Sequence, residues 1–307
     1  MSKFSASDAA FVGFRLVREH PKTIGIWAVV MTVLSLASTA LTIQLAGPRL
    51  TEFMAISAQG EPSPQEMLGV MGGLAPLMCV SLVYSLVLYS VMLAAVNRMV
   101  LRPSDNGSAY LRLGADELRQ AIMLILVNLL MLGVYFAVVL ISAILVGIAV
   151  ASGVGALTAV AGLISFVGIC CLMLFVAARL SFASAITFDT GKVSVTKSWA
   201  MTKGHVGSLL GAYLLAMVMA VIVYLLIMTI VAAVAAIVAG GIGGLGGLFE
   251  PDMTSLEAFF TPVGVVRAVF AGLISVLTTL IIFSPAPAIY QILKSGGVEP
   301  VVVDASV

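Results

Sequence analysis

The chain has 307 residues, of which 61% are hydrophobic and only 9% charged, and its mean hydropathy is +1.19. A soluble domain carries about 25% charged residues, so this chain cannot cover a globular surface with polar groups and lipid must cover much of it. The formal net charge of +1 supplies no basic field for nucleic acid, and three cysteines in apolar runs, Cys79, Cys170 and Cys171, argue against a disulfide framework or a metal-ligand spacing.

Residues 1–22 are mixed and carry Lys3, Arg15, Arg18 and Lys22. Charge-free apolar runs follow at 23–46, 68–97, 120–149, 156–178, 208–239 and 268–293. A helix needs about 20 apolar residues to cross a hydrocarbon core of about 30 Å. Runs of this length without alternation predict helices rather than barrel strands, because inside lipid a helix satisfies its own backbone. The first run exceeds a signal-peptide core and is expected to remain as an anchor.

Orientation follows from Lys and Arg. Thirteen of them fall in the N-terminal region, in 98–119, in 179–207 and at Lys294, and only Arg49 and Arg267 lie on the other side. This asymmetry predicts both termini in the cytoplasm. The outer connections are expected at 47–67, which is acidic and Pro-containing, at the tight turn 151–155, and at the glycine run from Gly240 to Gly247. That run lacks the strand and the Lys-Ser/Thr of a phosphate loop and is expected to act as a tether.

The segments before the membrane runs echo one another. Phe14-Arg15-Leu16, Leu111-Arg112-Leu113 and Trp199-Ala200-Met201 each lie nine residues ahead of a run, at Thr23, Gln120 and Ser208. The expected fold is all-α and polytopic, with six transmembrane helices arranged as three parallel-repeat hairpins. Each hairpin is preceded by a short surface helix on the cytoplasmic side. The repeat units are about 1–97, 98–180 and 181–294 of a single membrane domain over 1–307, and 295–307 form a cytoplasmic tail. In the first unit Ala10, Phe11, Phe14 and Val17 fall within one helical arc. The whole stretch from Arg179 to His205, the longest polar interval between apolar runs, is expected to lie on the membrane surface.

Basic and aromatic side chains at such elbows suit lipid headgroups. The candidate contacts are Arg15, Arg18, Arg112, Arg179, Lys197, Trp199 and Lys203. Arg98 and Arg179 at helix ends, and Arg267 on the outer side, are expected to snorkel toward phosphates. The only histidines, His20 and His205, hold equivalent repeat positions, and Glu117 stands at the third. Convergence of the three would make a metal site. Polar residues at the ends of surface helices are the favoured reading, and no metal or cofactor is expected. Ser284-Pro285-Ala286-Pro287 predicts a break in the last helix, because each Pro removes a backbone donor.

No hydrolase, metalloprotease, Walker or dinucleotide motif is present. The Arg179–His205 stretch, with Lys197-Ser198-Trp199 and Lys203-Gly204 at its core, resembles the hinge of the glycerophosphoryl diester phosphodiesterase membrane-domain family of bacterial multi-spanning proteins. The ending Pro285, Ala288-Ile289-Tyr290 and Leu293-Lys294 is similar to that family's last helix. The resemblance implies the six-helix fold and a bacterial inner membrane, and it carries no catalytic domain. The expected function is that of a non-enzymatic accessory or scaffold protein, whose partners are the bilayer and either another membrane protein or a second copy. The alternative is a transporter or lipid-handling protein.

Overall fold

The computed structural model describes residues 5–58, 63–241, 243, 246–249, 252–253 and 255–296. These are predominantly helical, with no strand among them. The helices are α1 (Ala6–Ala10), α2 (Val12–Glu19), α3 (Pro21–Ala58), α4 (Pro64–Leu101), α5 (Ala115–Ala151), α6 (Gly155–Leu180), α7 (Ala183–Thr190), α8 (Thr196–Met201), α9 (Val206–Val238), α10 (Gly246–Phe249), α11 (Leu256–Phe259), α12 (Pro262–Phe283) and α13 (Pro285–Lys294). Among the described residues six stretches are long and apolar enough to cross a membrane, at 21–47, 67–101, 107–151, 155–190, 206–238 and 262–294. The chain is therefore a multi-pass membrane protein by length and composition, as its hydropathy predicts.

Several boundaries differ from expectation. The connection expected at 47–67 is mostly helix, since α3 continues to Ala58 and α4 starts at Pro64; residues 59–62 lie outside the described residues. At 1.5 Å per residue a helix of 38 residues is about 57 Å long, nearly twice a hydrocarbon core, so α3 and α4 each extend well past an apolar span. Residues 242, 244 and 245 of the glycine run, and 297–307 of the tail, also lie outside the described residues. The break at Ser284 is present, with α12 ending at Phe283 and α13 beginning at Pro285. On α9 Val231 and Ala235 are buried with Leu248 and Val263, and Ala232 packs against them.

The chain forms two compact units. One takes in residues up to Val12, residues 89–216 and residues from Phe283 on; the other takes in 13–88 and 217–282. In the second unit α12 meets α3 at Gly272. A Cβ there would run into the Thr32 side chain and backbone and the Ala28 carbonyl, and the Thr32 hydroxyl donates to the Val269 carbonyl at 3.3 Å. This is the close backbone approach that small residues permit between membrane helices. Gly13 of α2 lies equally close to the backbone at Leu280 and Ile281. Val12 and Leu16 are buried, whereas Phe11 is exposed. The apolar arc expected at Ala10, Phe11, Phe14 and Val17 is thus displaced, because the chain breaks at Phe11 between α1 and α2 and turns the face of α2. Arg267 does not reach outward freely. Its guanidinium lies 5.0 Å over the buried Phe259 ring.

In the first unit α5 and α6 pack on one another. They are joined by a three-residue turn in which Gly153 takes φ 70°, a left-handed angle that costs a glycine little. Between Leu124 and Phe175 only Ala149 and Ser165 are buried. The buried centre of this unit lies elsewhere, around α7. Ala183 to Phe188 are all buried, and Phe182, Ala185 and Ile186 pack with Ala9, Leu209, Ala212, Ile289 and Tyr290. The surface placement expected for Arg179–His205 therefore fails for α7, whose apolar residues are covered by α5, α8 and α13. Where a surface helix was expected before α5, residues 102–114 are irregular, with one turn at 107–110.

Replacing Gly272 with Val should lower stability by about 1–3 kcal/mol, the usual cost of overpacking. Thermal unfolding in detergent would show this as a lower midpoint, whereas Gly211→Val, in open space on α9, should leave the midpoint nearly unchanged.

Candidate functional site

The first unit contains two polar elbows. The first joins the end of α4 to the start of α5. Arg98 occupies the last turn of α4, and Asp116 and Glu117 the first turn of α5. A cation at a helix C-terminus and carboxylates at an N-terminus each complement the backbone dipole. Arg98 Nη2 donates to Glu117 Oε1 at 2.7 Å, and Nη1 donates to the Tyr110 carbonyl at 2.5 Å. Its side chain is 3% exposed and that of Glu117 6%. Arg98 Nε also lies 3.7 Å from Asp105 and Nη2 3.9 Å from Asp116. The expected snorkelling of Arg98 is thus replaced by internal pairing, because carboxylates stand within reach on the adjoining chain.

The remaining arginines of this elbow behave in the same way. Arg102 lies 3.6 Å from Asp116, Arg112 2.5 Å from Asp105 and Arg119 2.8 Å from Asp116. Arg102 also donates to the Phe188 carbonyl at 3.1 Å. The guanidinium groups of Arg98 and Arg102 lie 5.4 and 4.6 Å from the centre of the Phe188 ring. Beneath them runs a buried amide and hydroxyl chain. Asn97 donates to the Ser184 hydroxyl at 2.7 Å, which donates to Gln120 Oε1 at 2.9 Å, and Gln120 Nε2 returns to the Ser184 carbonyl at 3.0 Å. Helix α7 is thereby tied to both α4 and α5. Its far end is capped by Gly191 at φ 65°, and Asp189 accepts from the Tyr290 hydroxyl at 2.7 Å and from Lys294 at 2.5 Å.

The turn at 107–110 is held in an unusual shape. Ser108, Ala109 and Tyr110 have φ of 53°, 53° and 64°, a region that costs an L-residue roughly 1–2 kcal/mol. Arg98 fixes the Tyr110 carbonyl, and the Tyr110 hydroxyl donates to the Pro103 carbonyl at 3.0 Å.

The second elbow joins α6 to α8. The last carbonyls of a helix have no partner within it. Here the Arg179 carbonyl accepts from the Ser198 hydroxyl at 2.8 Å and from the Thr202 hydroxyl at 3.3 Å. Ser198 also accepts from the Phe182 backbone N–H at 3.1 Å. Ser198 and Thr202 stand four residues apart and so lie on one face, and both are fully buried. The Arg179 side chain, itself buried, donates to Thr202 at 3.2 Å and lies 4.6 Å from the centre of the Trp199 ring. Trp199 meets Phe175 edge to face, with centroids 6.0 Å apart.

Of the residues expected from sequence, the structure joins Arg179 to Trp199 and sets Arg112 against Asp105. Lys197 and Lys203 are exposed, and Arg15 and Arg18 lie exposed on α2 in the second unit. Glu117 is taken by Arg98. Among the described residues no group of three or more His, Cys, Asp or Glu side chains is placed to hold a metal ion. The residues missed in the sequence are Asn97, Gln120, Ser184, Ser198 and Thr202. The three carboxylates interspersed among four arginines in 98–119 were the available signal of a self-paired elbow. Comparison with protein-family models finds no match, nor do comparisons with curated proteins and with solved structures.

Replacing Arg98 with Ala should destabilise the protein by about 3–5 kcal/mol, since it strands a buried carboxylate. The double change Arg98→Met with Glu117→Leu should recover most of the loss, as measured by thermal unfolding in detergent. Ala109→Gly should raise the midpoint slightly, worth about 0.5–1 kcal/mol, by relieving the left-handed strain.

Proposed function

We propose that this is a non-enzymatic accessory or scaffold protein of a bacterial inner membrane, with both termini and the basic elbows on the cytoplasmic side. The observation that carries the reading is how the elbow side chains are used. The polar groups at the end of α4, the start of α5 and α7 are spent on one another, which makes a rigid joint. The α5–α6 pair presents apolar side chains that are exposed among the described residues between Leu124 and Phe175. A firm joint carrying an uncovered pair of apolar helices suits a protein that presents membrane helices to lipid and to other helices.

The proposal includes a threefold parallel repeat of surface segment and membrane hairpin. It is supported by α2 standing before α3, by α8 standing before α9, and by His20 and His205 at the two junctions. The middle unit has the left-handed turn in that place. Kinship with the glycerophosphoryl diester phosphodiesterase membrane-domain family is part of the same reading. The residues of the resemblance have structural work here: Ser198 caps α6, and Tyr290 and Lys294 hold Asp189.

A lipid-handling role is the second reading, favoured by the exposed Lys197 and Trp199 on α8 and the exposed Lys203 just after it. Two experiments address these proposals. Reporter-enzyme fusions after Pro64 and after Asp105 should report opposite compartments, and the same compartment for both would refute the topology. Gentle solubilisation and cross-linking should recover a reproducible membrane partner or a second copy; a monomer without partners would refute the scaffold.

A further inference from the structure

The two elbows carry equal numbers of basic side chains and use them in opposite ways. In 98–119 all four, Arg98, Arg102, Arg112 and Arg119, lie within 4 Å of a carboxylate. In 179–205 the four are Arg179, Lys192, Lys197 and Lys203, and the only carboxylate is Asp189. Asp189 is already held by Lys294 and Tyr290. Among the described residues none of these four makes an ion pair, and no acidic residue follows Asp189 until Glu250.

The geometry also decides what the α8 face presents. Ser198 and Thr202 turn inward to the end of α6, so Lys197, Trp199 and Lys203 are left outward. Trp199 is 41% exposed, with one ring held by Phe175 and the Arg179 guanidinium. Arg179 Nε is buried without a hydrogen-bond partner among the described residues. A tryptophan at the end of an apolar span, with exposed Lys197 two residues before it and exposed Lys203 four residues after it, and backed by a guanidinium with no ion pair among the described residues, matches the boundary between acyl chains and phosphates.

We propose that the α8 elbow, through Lys197, Trp199 and Lys203 over Arg179, binds the phosphate of an anionic phospholipid, whereas the α4–α5 elbow does not. The proposal rests on the membrane reading above but not on the scaffold role. Between the two elbows of the first unit, it narrows the expected headgroup contacts to the one whose basic side chains have no ion pair among the described residues. Two lysines near an anionic surface contribute enough for their joint loss to weaken binding by about tenfold or more.

The test uses the full chain in zwitterionic detergent and the intrinsic fluorescence of its two tryptophans. Trp27 is fully buried and Trp199 is not, so the difference between the native chain and Trp199→Phe isolates the elbow. Titration with dioctanoyl phosphatidylglycerol should shift the Trp199 emission and saturate, with an apparent affinity that falls as salt rises. Lys197→Gln with Lys203→Gln should weaken that affinity by about tenfold or more, and Arg112→Gln should leave it unchanged. Circular dichroism confirms that each variant keeps its helices, and Lys197→Arg with Lys203→Arg should restore binding. An equal response to dioctanoyl phosphatidylcholine would overturn the proposal by showing an interfacial anchor without charge selection. Saturation by inorganic phosphate or glycerol phosphate would overturn the lipid assignment in favour of a soluble anion, and no response to any probe would overturn it outright. A failed titration with a partner still recovered by cross-linking would leave the scaffold reading standing.

Discussion

A buried arginine with carboxylates on the next helix is the constraint on which the α4–α5 end of the first unit depends. Arg98 cannot leave water unless its charge is met and its donors are used. Glu117 meets the charge at 2.7 Å, and the Tyr110 carbonyl takes a second donor. Once that pair is formed, the end of α4 and the start of α5 are held together with both helix dipoles satisfied. The connection between them, residues 102–114, includes three consecutive left-handed residues, and Arg98 holds the carbonyl of the last, Tyr110.

Helix α7 is the second consequence. Its Ser184 belongs to the hydrogen-bonded chain of Asn97 and Gln120, and its Phe188 lies under two guanidinium groups. Its other residues pack against α1, α9 and α13. An eight-residue helix is too short to be stable alone in water. Here it is surrounded, and it serves as the common surface on which the neighbouring segments assemble. The α6–α8 elbow reaches rigidity by another route. Two hydroxyls four residues apart satisfy a carbonyl that the helix end leaves open. No carboxylate is needed, so the basic residues there remain uncompensated. The same count of Lys and Arg thus yields a self-neutralised joint in one place and an open positive face in the other.

The apolar interior of the bilayer takes the place of a large protein core. Helices α5 and α6 bury almost none of their side chains between Leu124 and Phe175, which would be untenable in water and is ordinary in lipid. Close approach occurs where glycine allows it, as at Gly272 against Thr32, since helices in hydrocarbon gain by packing backbones rather than by hiding from solvent.

Composition and run length alone determined that the chain is helical and multi-pass. Charge-free stretches above about 20 residues leave the backbone no other way to satisfy itself in hydrocarbon. The break at Ser284–Pro287 was equally legible, because proline's missing donor acts locally. The elbows were legible as places but not as mechanisms. Side-chain type marked Arg98 and Arg179 alike as snorkelling cations, and Arg179–His205 as one surface stretch. Only the tertiary structure decided that Arg98 turns inward to Glu117, that α7 is buried and that Ser198 and Thr202 cap α6. The reason is that charge count and hydropathy are properties of single residues, whereas whether a cation is free depends on which carboxylate the fold brings within about 4 Å of it.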